Sequence, residues 1–410
     1  MIVGAGMGGL VLAQALAGAG DDVSVHDRDA APAATGGYRL HLDARACAAL
    51  RRHLAPELFE AVRASAADPR AFRQFAFTDH RLRVLVVDER DPGVERLLIG
   101  RVPLRTLLCR RIGDRVHFGE TFTGFDVEPD GRVAVHFADG STTVADLLVG
   151  ADGAGSRVAR ALAGRPTSTR LGVGGVAGRT PIHDGNRRLV PALLQHGPAL
   201  AFGPGGVGMF LTLHDPGPRG GATAEPPEIE APALVWGLLA DDRRCPVRSV
   251  PADRLVPTVL AVLERWDPAV RELVRQSDPD SVGAYAFRAA DPDADLTPWP
   301  AGPVTALGDA VHAMPPTGGR GAATAIRDAD VLAARLADVR DGRLALPLAL
   351  RRFQAEMAGY APAAVAGSLV PVRWIRALQG PAATVAARAA FPVASALAGG
   401  LRAARRRTAT

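Results

Sequence analysis

Gly4-Ala5-Gly6-Met7-Gly8-Gly9 stands at the start of the chain, between a short apolar stretch and an Ala- and Leu-rich one. Behind a strand and ahead of a helix, three of these glycines have separate duties. Gly4 permits a tight turn, Gly6 lets the backbone approach a pyrophosphate, and Gly9 lets helix and strand pack closely. The phosphate then rests at the helix N-terminus, where free N–H groups and the helix dipole favour an anion. Asp27 closes the next apolar stretch, Val23-Ser24-Val25-His26, 18 residues beyond Gly9. A carboxylate there can accept hydrogen bonds from both hydroxyls of an adenosine ribose. Arg28, its neighbour, can pack on the adenine or reach a phosphate. The pattern reads as a dinucleotide site but does not say which dinucleotide.

Two further acidic motifs break that tie. Asp152-Gly153 follows the apolar run Leu147-Leu148-Val149, and Gly308-Asp309 follows Val304-Thr305-Ala306-Leu307. An acid at such a strand end can accept a hydrogen bond from a ribityl hydroxyl, which favours a flavin over a nicotinamide dinucleotide. The Gly- and Pro-rich loop after Asp309 offers backbone N–H groups to a flavin ring. A helix beginning near Gly321 and Ala322 points its positive end the same way, favouring negative charge on the reduced ring.

Together and in this order, the three motifs resemble those of the FAD-dependent aromatic hydroxylases. These are single-component monooxygenases of the para-hydroxybenzoate hydroxylase type, similar also to the tetracycline-inactivating monooxygenases. The resemblance implies that Asp152-Gly153 is linked to both FAD and NADPH binding, and that Gly308-Asp309 holds the ribityl chain and pyrophosphate. Gly100-Arg101-Val102-Pro103-Leu104-Arg105-Thr106-Leu107-Leu108 is similar to the family segment whose first arginine contacts FAD, which assigns that role to Arg101. Gly36-Gly37-Tyr38-Arg39-Leu40 resembles the strand beside the flavin's mobile ring. The chain departs from the pattern after Pro316. Thr317-Gly318-Gly319-Arg320-Gly321-Ala322-Ala323 replaces Phe followed by Gly-Gly-Gln-Gly-x-Asn, so an amide is lost at Ala323 and a cation gained at Arg320.

The chemistry implied belongs largely to the cofactor. FAD is held tightly but noncovalently and is reduced by transiently bound NADPH or NADH. Dioxygen adds, and the resulting flavin hydroperoxide hydroxylates an electron-rich aromatic or polyketide-like substrate. Such chemistry needs water exclusion and substrate placement rather than a nucleophile, and no catalytic residue is assigned. Phe202, Met209, Phe210, Trp236 and Phe287 are candidates for the substrate wall, though each also suits a core. His196 and His214 read as structural or exposed, and His312 as ordering the Gly-Asp loop. No residue is identified as a carboxylate clamp.

The elements that must position these groups alternate as a doubly wound α/β fold does. The expected architecture is a Rossmann-like FAD-binding domain (1–70, 98–170 and 290–345) with an inserted β-sheet substrate domain (71–97 and 171–289). A helical segment follows from 346 to 410. One helical stretch is expected over 44–64, short strands over 71–99 and a helix over 102–112. Asp130-Gly131 and Asp139-Gly140 should turn around the strand 132–137. The loop 215–232 should join antiparallel strands near Met209-Phe210 and Val235-Trp236. The first strand is unusually short, as though residues before it were missing.

At 410 residues, 48% hydrophobic and 22% charged, the chain can bury a large core and does not read as disordered. A pI near 9.8 invites a nucleic-acid reading. All 48 basic residues are arginine, however, and seven of them follow Glu356 with no acid among them; the formal +5 therefore leaves about −2 before that point. Basicity is a tail property, and no basic stripe with interleaved aromatics indicates a nucleic-acid binder. Cys47, Cys109 and Cys245 are isolated, without metal-ligand spacing, which suits a reducing cytoplasm. Neither a signal peptide nor a membrane span is read from the sequence. Packing across two domains is preferred to membrane contact for the Ala-rich tail. Competing readings are a flavin dehydrogenase, a Baeyer–Villiger enzyme and a catalytically silent FAD-binding partner. A flavin-dependent halogenase would need a lysine, and the chain has none.

Overall fold

The computed structural model describes residues 1–36, 39–216, 223–243 and 249–377. It begins as the glycine turn requires, with β1 (Ile2–Val3), α1 (Met7–Gly18) and β2 (Val25–Asp27). Residues 7–14 of α1 are all buried, so this helix runs through the interior. Next come β3 (Arg39–Leu42), α2 (Ala44–His53) and α3 (Pro56–Ser65). The single helical stretch expected over 44–64 is thus two helices. Leu54 and Ala55 are extended, and Pro56, which lacks an N–H, opens the second.

Three strands follow, β4 (Gln74–Asp79), β5 (Val84–Glu89) and β6 (Leu97–Gly100), then α4 (Arg101–Cys109). α4 stops short of residue 112 because Arg110 turns extended and Arg111 takes a φ of 65°. After β7 (Val116–Phe118) a meander forms from β8 (Phe122–Val127), β9 (Val133–Phe137) and β10 (Thr142–Ala145). Its turns fall at the two Asp-Gly pairs. β11 (Leu148–Gly150) and α5 (Arg157–Ala163) lead to the long β12 (Thr169–Pro181), β13 (Ala199–Gly203), β14 (Val207–His214) and β15 (Ala233–Asp241). Then come α6 (Leu255–Val262), α7 (Pro268–Arg275), β16 (Gly283–Ala289) and β17 (Val304–Ala306). The described chain ends with α8 (Asp309–His312), α9 (Gly321–Arg340), α10 (Leu346–Ala358) and α11 (Ala361–Ala377).

β17, β11, β1, β2 and β7 form one parallel sheet in that order. Ile2 pairs with both Val149 and Val25, and Leu148 with Val304. Parallel pairing in this register brings the C-terminal ends of four strands to one edge, and with them Gly4, Asp27, Asp152 and Asp309. A second sheet of seven strands runs β16-β12-β15-β14-β13-β4-β5. β14 and β15 pair antiparallel from Val207↔Ala240 to His214↔Ala233, the arrangement expected around the loop 215–232.

Side chains alternate across this second sheet. Met209, Leu211 and Trp236 face α6 and α7 in a core with Trp266, Leu273 and Val274. Leu200, Phe202, Phe210 and Phe287 take the opposite face, with Phe75, Phe77 and Trp374 of α11. α11 also sends Val365 against Met314, so it touches both halves of the molecule. Residues 378–410, the arginine-rich end included, lie outside the described residues, as do Gly37, Tyr38 and Cys245. No helix among the described residues is long and apolar enough to cross a membrane.

Candidate active site

The glycine turn is sterically committed. Gly4 has φ +111°, and a Cβ there would collide with the backbone of Ala151. A Cβ on Gly9 would collide with the Gly4 carbonyl, so helix and strand pack as closely as the motif allows. Gly6 is the N-cap of α1; no side chain caps this helix and no acid stands in its first turn. Its first N–H groups are therefore free for an anion.

Asp27 reaches back over this turn. Its Oδ2 accepts from Ala5 N at 2.6 Å and its Oδ1 from Asp29 N at 2.8 Å. Arg105, missed as a site residue, organises the corner. Its Nη2 lies 3.2 Å from Asp27 Oδ2, its Nη1 donates to Asp29 at 2.6 Å, and its Nε donates to the Ala5 carbonyl at 2.8 Å. A carboxylate offers about four acceptor positions, so Asp27 keeps room for a ribose hydroxyl beside its protein partners. Arg28 is exposed. The signal for Arg105 was its place one helical turn after Arg101.

Asp152 has a more local engagement. Its Oδ1 accepts from Ser156 Oγ at 2.5 Å and its Oδ2 from Arg157 N at 2.7 Å, at the start of α5. Both oxygens thus serve the loop that Gly153, at φ +81°, turns. The motif meets the glycine turn through the backbone of Ala151 instead.

Asp309 is half-buried, and its Oδ1, a buried atom, has no hydrogen-bond partner among the described residues. Burial raises its pKa above the ordinary carboxylate value; His312 and Arg101 pull the other way, and Asp328 adds to the rise. Gly321 lies beside it, a Cβ there falling 3.6 Å from that oxygen. Ala322 follows in the first turn of α9, which has neither a capping side chain nor an acid. Behind Asp309 stands a buried knot that the sequence did not reveal. Asp328 Oδ2 accepts from Gly308 N at 2.8 Å and lies 2.6 Å from His312 Nε2, while Oδ1 accepts from Tyr360 Oη at 2.6 Å. Burial opposes a charge on His312, but Asp328 outweighs it and raises that pKa. The ordering role expected for His312 thus has its physical means. Asp328 sits mid-helix among ordinary polar positions, so nothing local marked it.

Arg101 opens α4, exposed into the space between these groups, where its charge is felt by Asp309, Asp29 and Tyr285. The surrounding protein lowers its pKa, an effect Asp309 opposes.

Beside the Asp309 loop lies a cavity of about 610 Å³, open mouth included. Phe75, Leu200, Phe210, Leu239 and Phe287 of the seven-stranded sheet form one wall; Pro316, Thr317 and Gly319 form another; Arg39 and His41 of β3 close it. Of the five apolar candidates, Phe210 and Phe287 line this space. Phe202 shares their face but stacks on Phe77 with ring centroids 6.2 Å apart. Met209 and Trp236 point the other way, a consequence of strand alternation that only the register fixes. His214 is buried with Nε2 near the Glu230 carbonyl, and His196 is exposed in a turn, its carbonyl accepting from Arg73 N and Gln74 N.

An uncapped glycine turn, a carboxylate with one buried, unpartnered oxygen and a neighbouring arginine fit an extended dinucleotide ending beside the cavity. The FAD binding domain model matches residues 1–205 and 269–367, and the chain belongs to this family of flavin-binding proteins. The resemblance to FAD-dependent aromatic hydroxylases read from the motifs holds. Over 389 residues the chain is 29% identical to a dual O-methyltransferase/FAD-dependent monooxygenase of Cercospora beticola, covering 87% of this chain and 44% of that protein. It therefore spans less than half the length of that relative. An FAD-dependent monooxygenase of Emericella nidulans is 30% identical over 329 residues, covering 77% of this chain and 80% of its own. A solved structure from Photorhabdus luminescens, assigned as an FAD-containing monooxygenase, superposes with a TM-score of 0.77 at 28% identity. That match covers 92% of this chain and 96% of the other.

Proposed function

We propose that the chain is a monooxygenase that uses FAD, NADH or NADPH, and dioxygen to hydroxylate an electron-rich aromatic or polyketide-like substrate. The observation that carries this reading is the aromatic cavity sharing the Pro316–Gly319 loop with the Asp309 site. Segments 1–70, 98–170 and 290–345 would hold the cofactor, and 71–97 with 171–289 the substrate. Gly4, Gly6, Gly9 and the α1 N-terminus would receive the pyrophosphate, and Asp27 with Arg28 the adenosine end. Arg101 and Asp309 would face the ribityl chain, and Gly308 would set the turn that aims Asp309. Gly321 and Ala322 would offer the α9 N-terminus to the ring. Asp152 and Gly153 would buttress the glycine turn from behind.

Bound FAD would supply the redox chemistry that activates oxygen. This chain's own residues would exclude water and hold the reacting carbon in place. Phe75, Phe210 and Phe287 suit that task, being apolar on three strands of one sheet face. No side chain is given a proton-transfer role. Cys47 and Cys109 are buried free thiols, as a reducing, cytoplasmic setting would allow.

Reconstitution with FAD, followed by NADH and NADPH oxidation across phenols and quinones under isotopically labelled dioxygen, tests the reading. One labelled oxygen on a ring carbon is the expected product mass. Protein that takes up no flavin, or oxidises substrate without incorporating label, would refute it; label in an ester would identify a Baeyer–Villiger enzyme instead.

A further inference from the structure

The charged and titratable groups lining the cavity stand only where β3 closes it. Arg39 and His41 stand two apart on that strand and therefore share a face. Arg39 is only 8% exposed. Its Nη2 donates to the Leu98 carbonyl at 2.7 Å, while Nε and Nη1 have no partner among the described residues. Buried guanidinium donors are normally satisfied, and a buried charge is normally paired.

The neighbouring charges do not meet that need. Glu230 is felt by Arg39, but its Oε1 is taken by Arg179 at 2.9 Å. Arg90, which faces His41 from the end of β5, lies 3.3 Å from Asp88. His41 and His214 are both held neutral, each pulled down to about 3 by burial first and then by the charge of Arg39. Arg179 and Arg90 each have a carboxylate within ion-pair distance, whereas Arg39 has none among the described residues and feels Glu230 only at longer range.

Resting on the monooxygenase reading for what enters the cavity, we infer that Arg39 docks an acidic oxygen of the substrate, either a carboxylate or an ionised phenol or enol. The β3 end of the cavity then binds the anionic edge of the substrate, and the aromatic sheet face binds its ring. The sequence placed the segment Gly36–Leu40 beside the flavin ring by resemblance, but gave Arg39 itself no role.

The test measures binding to the FAD-loaded protein by calorimetry, using two acid–neutral pairs. One pair is para-nitrobenzoate and its methyl ester; the other is para-nitrophenol and para-nitroanisole. At least one acid should bind ten-fold or more tightly than its methylated partner. Arg39→Gln should remove that preference while leaving the neutral partner's affinity unchanged, and Arg39→Lys should keep part of it. The pair that shows the preference identifies the oxygen. If it is the phenol, bound para-nitrophenol should also colour at a lower pH than free para-nitrophenol. Acids that bind no more tightly than their neutral partners overturn the inference, as does an Arg39→Gln variant that weakens both members of a pair alike. Flavin content and melting temperature, read first on every sample, show whether a variant has folded. A wild type that takes up no flavin fails the monooxygenase reading, whereas the acid–neutral comparison judges Arg39 by itself.

Discussion

Asp309 is the residue on which flavin binding should turn. A carboxylate with one buried, unpartnered oxygen favours its protonated form, and a hydroxyl donated to it would favour the ionised one. The folded apo protein keeps this proton above the ordinary value of 3.8, so this group's stability contribution declines as pH rises from there through the raised pKa. A ligand that prefers the ionised form binds more tightly above that pKa. FAD affinity, measured by fluorescence quenching, should therefore rise with pH across this window in the wild type. In Asp309→Asn it should fall about ten-fold, roughly 1.4 kcal/mol, and lose that pH dependence. Arg105 works differently, as a fixed tie between Asp27, Asp29 and the Ala5 carbonyl that shapes the corner without needing to touch the cofactor.

At the scale of elements, the loop carrying Asp309 is held by helices that come later in the chain. Gly308 has φ +64°, and its N–H is received by Asp328 of α9, which also receives the hydroxyl of Tyr360 between α10 and α11. Tyr360 also lies under the guanidinium of Arg327, 3.5 Å from ring centre to Cζ. Tyr360→Phe should leave a buried carboxylate oxygen unsatisfied and cost about 1–3 kcal/mol in chemical denaturation. Because the ring and its stacking survive, flavin affinity should drop only several-fold. A loss of stability with flavin affinity untouched would show that the knot does not position Asp309.

For the whole molecule, the titration of buried groups predicts how it fails in acid. His41 and His214 are held neutral with pKa values near 3, against an ordinary 6.5. Below about pH 6.5 the unfolded chain binds protons that the folded chain refuses, so stability falls as pH drops from there toward 3. Denaturant midpoints measured down this range should decline steadily, and less steeply in His214→Asn. The cavity region shares the consequences, since His214 ends a strand of the large sheet and its neighbour Arg39 lies on β3, which pairs with β6, at the cavity. Loss of that region in acid should remove substrate binding before the parallel sheet loses flavin.

Much of the cofactor side was legible in the sequence because its signals are local. Gly4, Gly6 and Gly9 must be glycines for steric reasons that hold within one βαβ unit, and Asp27 falls where that unit puts it. The Asp-Gly pairs at 130–131 and 139–140 announced their turns, whereas Pro56 divided a stretch that helical periodicity alone read as continuous. What no local rule could supply was partnership between distant segments. Parallel pairing of β1, β2, β11 and β17 brings four strand ends to one edge, and Asp328 acquires its meaning only beneath Gly308. Register alone turned Phe210 toward the cavity and Trp236 away from it. The sequence determined the glycine turn and the acids at the strand ends, since these depend on backbone conformation over a few residues. Only the tertiary structure decided that Arg39 would be a buried cation with no ion-pair partner among the described residues, since burial and pairing belong to the packed chain and to no segment of it.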